Sequence, residues 1–212
     1  LGAPGELEAL RAFLADRGLY VFTINGFPHG AFHGEAVKER VYLPDWLDEE
    51  RLVYTDRLAE ILAATLPDDP SLEGTISTVP GAFRPRASTD PAMRATADRL
   101  VRQAALLVRL FDRTGRRIAL ALEPEPRCVL ETADDAAAFF ERWLFAPEAI
   151  ERFERDAGLA GGRAEEALRR HLGVCLDACH MAVEFEDLDG ALARLRSAGV
   201  RVAKIQLSAG LE

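Results

Sequence analysis

The chain has 212 residues, of which 49% are hydrophobic and 29% are charged, and its formal net charge is −9. This length and composition fit one soluble globular domain and exclude an intrinsically disordered chain. The acidic balance argues against a nucleic-acid partner, because such binding needs a basic surface that displaces counterions from phosphates.

Membrane and secretion signals are not evident in the sequence. There is no run of 18 apolar residues, and the first residues, Leu1 to Gly5, lack the basic start and apolar segment of a signal peptide. The three cysteines, Cys128, Cys175 and Cys179, are odd in number and favour structural, reduced thiols over a disulfide framework. We therefore expect a cytoplasmic protein without a membrane span.

Five short segments rich in β-branched or aliphatic residues are separated by long helical patterns. We predict strands at Leu19–Asn25, Thr75–Val79, Ile118–Glu123, Leu172–Asp177 and Val202–Leu207. Apolar residues at spacings of three and four predict helices at Glu6–Arg17, Trp46–Leu66, Pro91–Arg113, Ala133–Leu144, Pro147–Ala157, Arg163–His171 and Leu188–Ala198. This alternation predicts βαβ units and a parallel sheet covered by helices.

The two faces of the predicted strands favour a barrel over a doubly wound sheet. In the third strand, large side chains occupy one face and small or acidic ones the other: Ile118, Leu120 and Leu122 against Ala119, Ala121 and Glu123. A barrel interior is narrow and carries its chemistry at the C-terminal mouth, whereas a doubly wound sheet is bulky on both faces. No glycine-rich nucleotide-binding loop follows a strand. We predict a (β/α)8 TIM barrel.

Polar side chains at the ends of the predicted strands would meet at this mouth. They are Asn25, Arg84, Glu123, Glu125, Asp177, His180, Lys204 and Gln206. Glu123 and Asp177 arrive from neighbouring strands and are the ligand type that hard divalent cations prefer, so they predict a metal site. His180 could contact the metal surroundings or a substrate. The alternatives are a strand-end Asp that caps a turn and a half-buried structural His.

Three other features could contribute to a site. The loop after the first strand, residues 25–34, is rich in glycine, aromatic residues and histidine, so it could line the mouth; His33 is its stronger candidate and His29 its weaker one. An inward Lys204 predicts a neutralising partner such as Asp177 or an anionic substrate. Arg84 could hold a phosphate or carboxylate, or lie in a solvated loop.

Several of these motifs together resemble a known superfamily. The sequences E-P-E-P (Glu123–Pro126), L-D-A-C-H (Leu176–His180) and K-I-Q (Lys204–Gln206) resemble the xylose isomerase-like TIM barrels, which include sugar isomerases, epimerases and endonuclease IV. With the longer segments Thr23–Gly34 and Ser77–Pro85, the chain is most similar to the EboE family of metabolite-traffic proteins in that superfamily.

The resemblance implies specific site residues. It implies that Glu123 and Asp177 bind a divalent metal ion, whether Mn, Mg or Zn, and that His180 contacts the substrate. Where the seventh strand usually offers a metal-binding His, this chain has Gln206, which is a weaker ligand. A final acidic ligand on the eighth strand would lie beyond Glu212.

The resemblance also implies that residues 1–212 form a single domain that supplies the third to seventh strands of eight. The chain begins at Leu1 rather than Met and ends soon after the last predicted strand. Because five strands cannot close a barrel, we expect a fragment that lacks N- and C-terminal strands. Its open sheet edges could allow self-association.

The sequence leaves two functions open. The first is a sugar or sugar-phosphate isomerase or epimerase, in which Glu123, His180 and Lys204 are catalytic and Asn25, His33, Arg84 and Gln206 contact substrate. The second is a non-catalytic carrier that binds a small metabolite on the same barrel. A third, an endonuclease IV-like repair enzyme, is disfavoured by the acidic charge and the four histidines.

Overall fold

A computed structural model describes residues 5–29 and 38–207 of the chain. Within these residues there are five strands: β1 (Thr23–Asn25), β2 (Glu73–Thr78), β3 (Arg117–Leu122), β4 (Leu172–Asp177) and β5 (Val202–Gln206). The described helices are α1 (Glu6–Asp16), α2 (Glu49–Thr65), α3 (Arg84–Ala87), α4 (Asp90–Thr114), α5 (Ala133–Phe139), α6 (Pro147–Ala157), α7 (Gly162–His171), α8 (Ala178–Val183) and α9 (Leu188–Ser197). A 3-10 helix covers Lys38–Tyr42, and a π-helical turn covers Phe140–Leu144.

The sheet is parallel throughout, and its strands follow one another in chain order from β1 to β5. A doubly wound sheet reverses its strand order at a switch point, whereas a barrel adds each new strand to the same side of the last one. The strands and covering helices therefore form a half-barrel. This confirms the predicted fold class, a partial (β/α)8 barrel with about five strands.

The core lies between the outer face of the sheet and the helices. Ile118, Leu120 and Leu122 of β3 are buried, as the strand pattern predicts. The longest described helix, α4, packs against α2 and α6 and lies against β3. Its first turn is capped by Thr89, whose side chain accepts from the Ala92 N–H, and it ends at Gly115, whose φ of 69° suits glycine.

Side chains on the inner side of the sheet connect strands that are not neighbours. The Lys204 ammonium of β5 donates to Asn25 Oδ1 of β1, so these two strands, which form the edges of the described sheet, face each other across its interior. At the opposite end of the strands, Arg201 forms a two-point ion pair with Glu73, the first residue of β2. The sheet is thus strongly curved, as a barrel requires.

The structure corrects several predicted elements. The first strand is limited to Thr23–Asn25 rather than Leu19–Asn25, and the helix predicted to end at Leu144 changes to a π-helical turn at Phe140. Thr132 and Asp135 form a complete capping box at the start of that helix. Two short helices, α3 and α8, stand where the sequence predicts only loops.

Among the described residues, no helix is long and apolar enough to cross a membrane. The side chain of Ile205 on β5 is 57% exposed, and β1 and β5 form the edges of the described sheet. Self-association through these edges, a cytoplasmic location and further strands beyond the five stay predictions.

Candidate metal and substrate site

Five polar residues gather at the C-terminal end of β3, β4 and β5 and are called the mouth cluster here: Glu123, Asp177, His180, Lys204 and Gln206. Strand register explains part of this gathering. Asp177 pairs with Gln206 between β4 and β5, and Cys175 pairs with Lys204 one step earlier. Because residues two apart on a strand point to the same face, both pairs lie on one side of the sheet.

Glu123 follows β3 directly, and it is 7% exposed. Its backbone N–H donates to the Thr78 carbonyl at 3.1 Å, so the pairing of β2 with β3 continues one step past the end of the strand. This bond fixes the direction from which the carboxylate enters the mouth. Its Oε1 atom accepts a hydrogen bond from Gln206 Nε2 at 2.7 Å.

Asp177 ends β4 and is at the same time the N-cap of α8. Its Oδ1 atom accepts from the Cys179 N–H at 2.8 Å and from the His180 N–H at 3.3 Å. Its Oδ2 atom accepts from Gln206 Nε2 at 2.9 Å. The alternative that Asp177 caps a turn is therefore correct, and one carboxylate oxygen still faces the mouth.

His180 is oriented by the backbone of the neighbouring strand end. Its Nδ1 atom lies 3.0 Å from the Pro124 carbonyl and 3.8 Å from Glu123 Oε1. A carbonyl oxygen can only accept, so Nδ1 carries the hydrogen and the lone pair of the neutral ring lies on Nε2. A ring fixed in this way is the usual arrangement of a metal-binding or substrate-binding histidine.

The donor set fits a divalent cation. Glu123, Asp177 and His180 each offer one ligand atom, and these atoms all lie within 4.8 Å of one another. Two carboxylates and an imidazole suit Mg²⁺, Mn²⁺ or Zn²⁺, so the metal site implied by the resemblance is compatible with these residues. The carboxylates are also already turned toward a common point, since one amide group donates to both.

Lys204 reaches into the interior below these carboxylates. Its ammonium donates to Asn25 Oδ1 and, at 3.3 Å, to Ser77 Oγ. Burial lowers the pKa of Lys204, while the nearby charges of Glu123 and Asp177 act in the opposite direction. The negative charge of Asp177 therefore acts on Lys204, as expected. The groups that accept hydrogen bonds from the ammonium, however, are neutral.

Glu125 and Tyr42 are part of the same region; Glu125 was predicted to lie at the mouth without an assigned role, and Tyr42 was not predicted. The Tyr42 hydroxyl donates to Glu125 Oε1 at 3.5 Å, and Glu125 Oε2 is buried without a hydrogen-bond partner among the described residues. Burial raises the pKa of Glu125 to about 7; the neighbouring His180 ring lowers it and the Glu123 charge raises it. The E-P-E-P sequence indicated that Glu125 could bring a second carboxylate to the region of Glu123.

An aromatic stack forms one wall beside Glu125. The rings of Phe27, Tyr42 and Phe83 lie nearly parallel, with centroid distances of 5.7 Å and 5.4 Å between successive rings. These residues come from three separate segments of the chain, namely the loop after β1, the 3-10 helix and the residue before α3, so the stack fixes these segments relative to one another. Phe27 of the loop after β1 belongs to this stack, and the role of the whole loop in lining the mouth stays a prediction.

Other predicted site residues lie elsewhere or cannot be placed. Arg84 begins α3 and pairs with Glu131 at 2.7 Å rather than with a member of the mouth cluster. His29 packs edge-on against Tyr54 at a centroid distance of 4.5 Å. His33 lies outside the described residues.

The cysteines have no disulfide among the described residues. Cys128 and Cys175 are buried, and burial raises the pKa of both thiols. A raised pKa keeps a thiol protonated and poorly nucleophilic. This agrees with a structural role for Cys128 and Cys175, and the same role for Cys179 stays a prediction.

Comparison with known proteins finds no matching family and no matching curated protein. Among solved structures, apo 3-keto-D-glucoside 4-epimerase YcjR from E. coli is similar, with 18% sequence identity and a TM-score of 0.47 over 98% of this chain and 78% of that chain. SacUVDE has 13% identity and a TM-score of 0.37 over 97% and 68%. These values assign neither a family nor an activity. The half-barrel rests on the strand order and on the contacts across the sheet interior. The EboE resemblance gains no support.

Proposed function

We propose that the protein is a metal-dependent isomerase or epimerase acting on a small polyhydroxylated or phosphorylated sugar. The observation that supports this most strongly is the approach of Glu123, Asp177 and His180 to within 4.8 Å at the C-terminal end of parallel strands. Active sites of (β/α)8 enzymes lie at this end of the strands. The same end holds Lys204 and Glu125, which provide an interior cation and a further carboxylate.

Each residue then has a defined task. A divalent ion held by Glu123 and Asp177 would polarise a substrate carbonyl and the neighbouring hydroxyl. The Lys204 ammonium and the His180 ring would stabilise negative charge that develops on a substrate oxygen. Glu123 is proposed to move the proton, and Glu125 is a second carboxylate within the same region.

The remaining predicted contacts are weaker parts of the proposal. Asn25 orients Lys204 through its Oδ1 atom, and its amide N–H₂ could reach a substrate hydroxyl. Arg84 would have to leave Glu131 to bind an anionic group of the substrate. A role for His33 stays a proposal from the sequence alone.

The experiment measures exchange of carbon-bound hydrogen with solvent. Isomerases and epimerases that work through an enediolate replace a C–H hydrogen beside a carbonyl by deuterium in D₂O. We would incubate the protein and Mn²⁺ with a panel of aldoses, ketoses and their phosphates, and follow each sugar by proton NMR. We expect exchange in at least one sugar.

Variants connect that exchange to the site. Glu123→Gln and Asp177→Asn should each reduce the exchange rate at least about 100-fold, because each removes an anionic ligand. The matched control is Glu148→Gln, which neutralises an exposed carboxylate on α6 and should leave the rate unchanged. Exchange that survives in both site variants, or no bound Mn²⁺ in the wild type, would refute the proposal.

A second candidate is a non-catalytic carrier of a small metabolite, the function suggested by the resemblance to metabolite-traffic proteins. The hydrogen bonds of Gln206 favour it, since its neutral amide satisfies both carboxylates without a cation. In that case a sugar of the panel would bind, as seen by calorimetry, without any solvent exchange. Exchange at an enzyme-like rate would exclude this function.

A further inference from the structure

The side-chain amide of Gln206 occupies the space between two carboxylates. Its Nε2 atom donates to Glu123 Oε1 at 2.7 Å and to Asp177 Oδ2 at 2.9 Å. An amide nitrogen carries two hydrogens, so both are used in these bonds. The group thus offsets the repulsion between two anions that arrive from different strands.

The same contact opposes cation binding. An amide N–H₂ group has no lone pair to offer a metal ion, and its hydrogens carry partial positive charge. A cation shared by Glu123 and Asp177 would take the position toward which these hydrogens point. Binding therefore requires that the amide leave or turn around.

We propose that Gln206 is a two-state positioning residue, which joins the two carboxylates when no cation is present and rotates to offer Oε1 as a ligand when one binds. This inference rests on the cation site of the proposed function. In the first state the amide donates to both carboxylates. In the second state its Oε1 atom binds the cation together with the carboxylate oxygens.

The position of Gln206 favours rotation of its side-chain amide over movement of the side chain out of the cation site. The residue lies on β5 in register with Asp177 of β4, so its backbone is fixed beside the carboxylates by the ladder of the sheet. The last torsion of a glutamine side chain has a broad profile, and a half-turn about it exchanges Oε1 and Nε2 without moving the backbone. Hard cations take about six oxygen ligands, more than Glu123 and Asp177 supply.

The chain is well suited to a direct test by NMR, because it has two glutamines, Gln103 and Gln206, and one asparagine, Asn25. Three side-chain amide pairs are therefore expected in a nitrogen-proton spectrum of the labelled protein. The Gln206 pair is identified as the one lost in Gln206→Leu. We expect its two protons to shift upfield when Mg²⁺ is added, because their hydrogen bonds to carboxylates are broken.

Calorimetry with Mn²⁺ distinguishes a Gln206 side chain that binds the cation from one that only blocks its site. If Oε1 binds the cation, Gln206→Leu should weaken Mn²⁺ binding about tenfold or more, and Gln206→Glu should strengthen it. The matched control is Gln103→Leu, the same substitution at a buried glutamine of α4 whose amide atoms have no partner among the described residues. It should leave Mn²⁺ affinity unchanged.

The outcomes separate this inference from the proposed function. If Mn²⁺ binds but the Gln206 amide protons do not move, or if Gln206→Leu binds Mn²⁺ more tightly, the rotation is refuted while the cation site stands. If neither Mn²⁺ nor Mg²⁺ binds the wild type or Gln206→Glu, the proposed function and this inference are both refuted. Movement of the amide signals together with weaker binding in Gln206→Leu would establish the two states.

Discussion

The two ends of the half-barrel both carry charged side chains in the sheet interior, but they satisfy them differently. Glu73, His171 and Arg201 lie at the N-terminal end and are called the base cluster here. The guanidinium of Arg201 donates to both carboxylate oxygens of Glu73 and also to the Arg170 carbonyl, at 2.6 Å. At the mouth, an ammonium is held by neutral oxygens while two carboxylates share one neutral amide.

This difference agrees with a stabilising role for the base and with the binding role proposed for the mouth. Opposite charges in direct contact offset the cost of removing them from water, so the base cluster needs no bound ligand to neutralise its charges. Like charges held close together by a neutral group carry a cost that a bound cation would relieve. The comparison predicts opposite responses when one interior cation is replaced at each end.

The largest effect on stability is expected at the base. Arg201→Met keeps an unbranched apolar stem of similar reach but removes the ion pair, leaving the partly buried Glu73 carboxylate without its partner. We expect a loss of about 2 kcal/mol in the free energy of unfolding, measured by urea denaturation. Arg113→Met is the control, because Arg113 forms an exposed pair with Glu60 and should cost less than about 0.5 kcal/mol. Equal losses in both variants would contradict the contrast between the two ends.

A smaller effect of opposite sign is expected at the mouth. Lys204→Met removes an ammonium whose pKa is lowered by burial, so at neutral pH the folded state disfavours the charge that the unfolded chain carries freely. We expect the free energy of unfolding to rise by up to about 1 kcal/mol, while the proposed isomerase or epimerase activity is lost. The gain should disappear as the pH rises above the pKa of a free lysine, where neither state is charged. A variant that loses both stability and activity would show that the mouth cluster is structural.

Local features of the fold were predictable from the sequence, whereas contacts between distant segments were not. The alternating faces of β3 and the Thr132 capping signal depend on neighbours a few residues away, so their patterns are visible in the sequence. The pairing of Tyr42 with Glu125 joins residues 83 positions apart, and no local pattern reports it. Helix α8 was missed because the Asp177 that caps it was interpreted as a metal ligand or as the cap of a turn, and not as the cap of a helix.

The candidate site shows the same division. The strand ends identify Glu123 and Asp177 because parallel strands bring their C-terminal residues to one edge. The sequence also indicates that Lys204 and Gln206 share a face of the last strand. It does not reveal that Gln206 joins both carboxylates, since that depends on the curvature that turns β5 toward β3.

The base cluster can also be tested through the pH dependence of its stability. His171 ends α7, and its Nδ1 atom lies 2.7 Å from the Ile118 carbonyl in a buried site. Burial lowers the pKa of His171, with the bond to Ile118 and the charge of Glu73 acting against the shift and Arg170 and Arg201 adding to it.

The direction of the pH effect follows from proton binding in the two states. Below the pKa of a free histidine the unfolded chain binds a proton that the folded protein resists, so this residue makes unfolding easier as the pH falls through that range. His171→Asn retains a donor for the Ile118 carbonyl but cannot titrate. We expect it to reduce the slope of unfolding free energy against pH between about 5 and 7, by at most about 1.4 kcal/mol per pH unit. An unchanged slope would mean that His171 is protonated as easily in the folded protein as in the unfolded chain, and that the base cluster does not exclude a further positive charge.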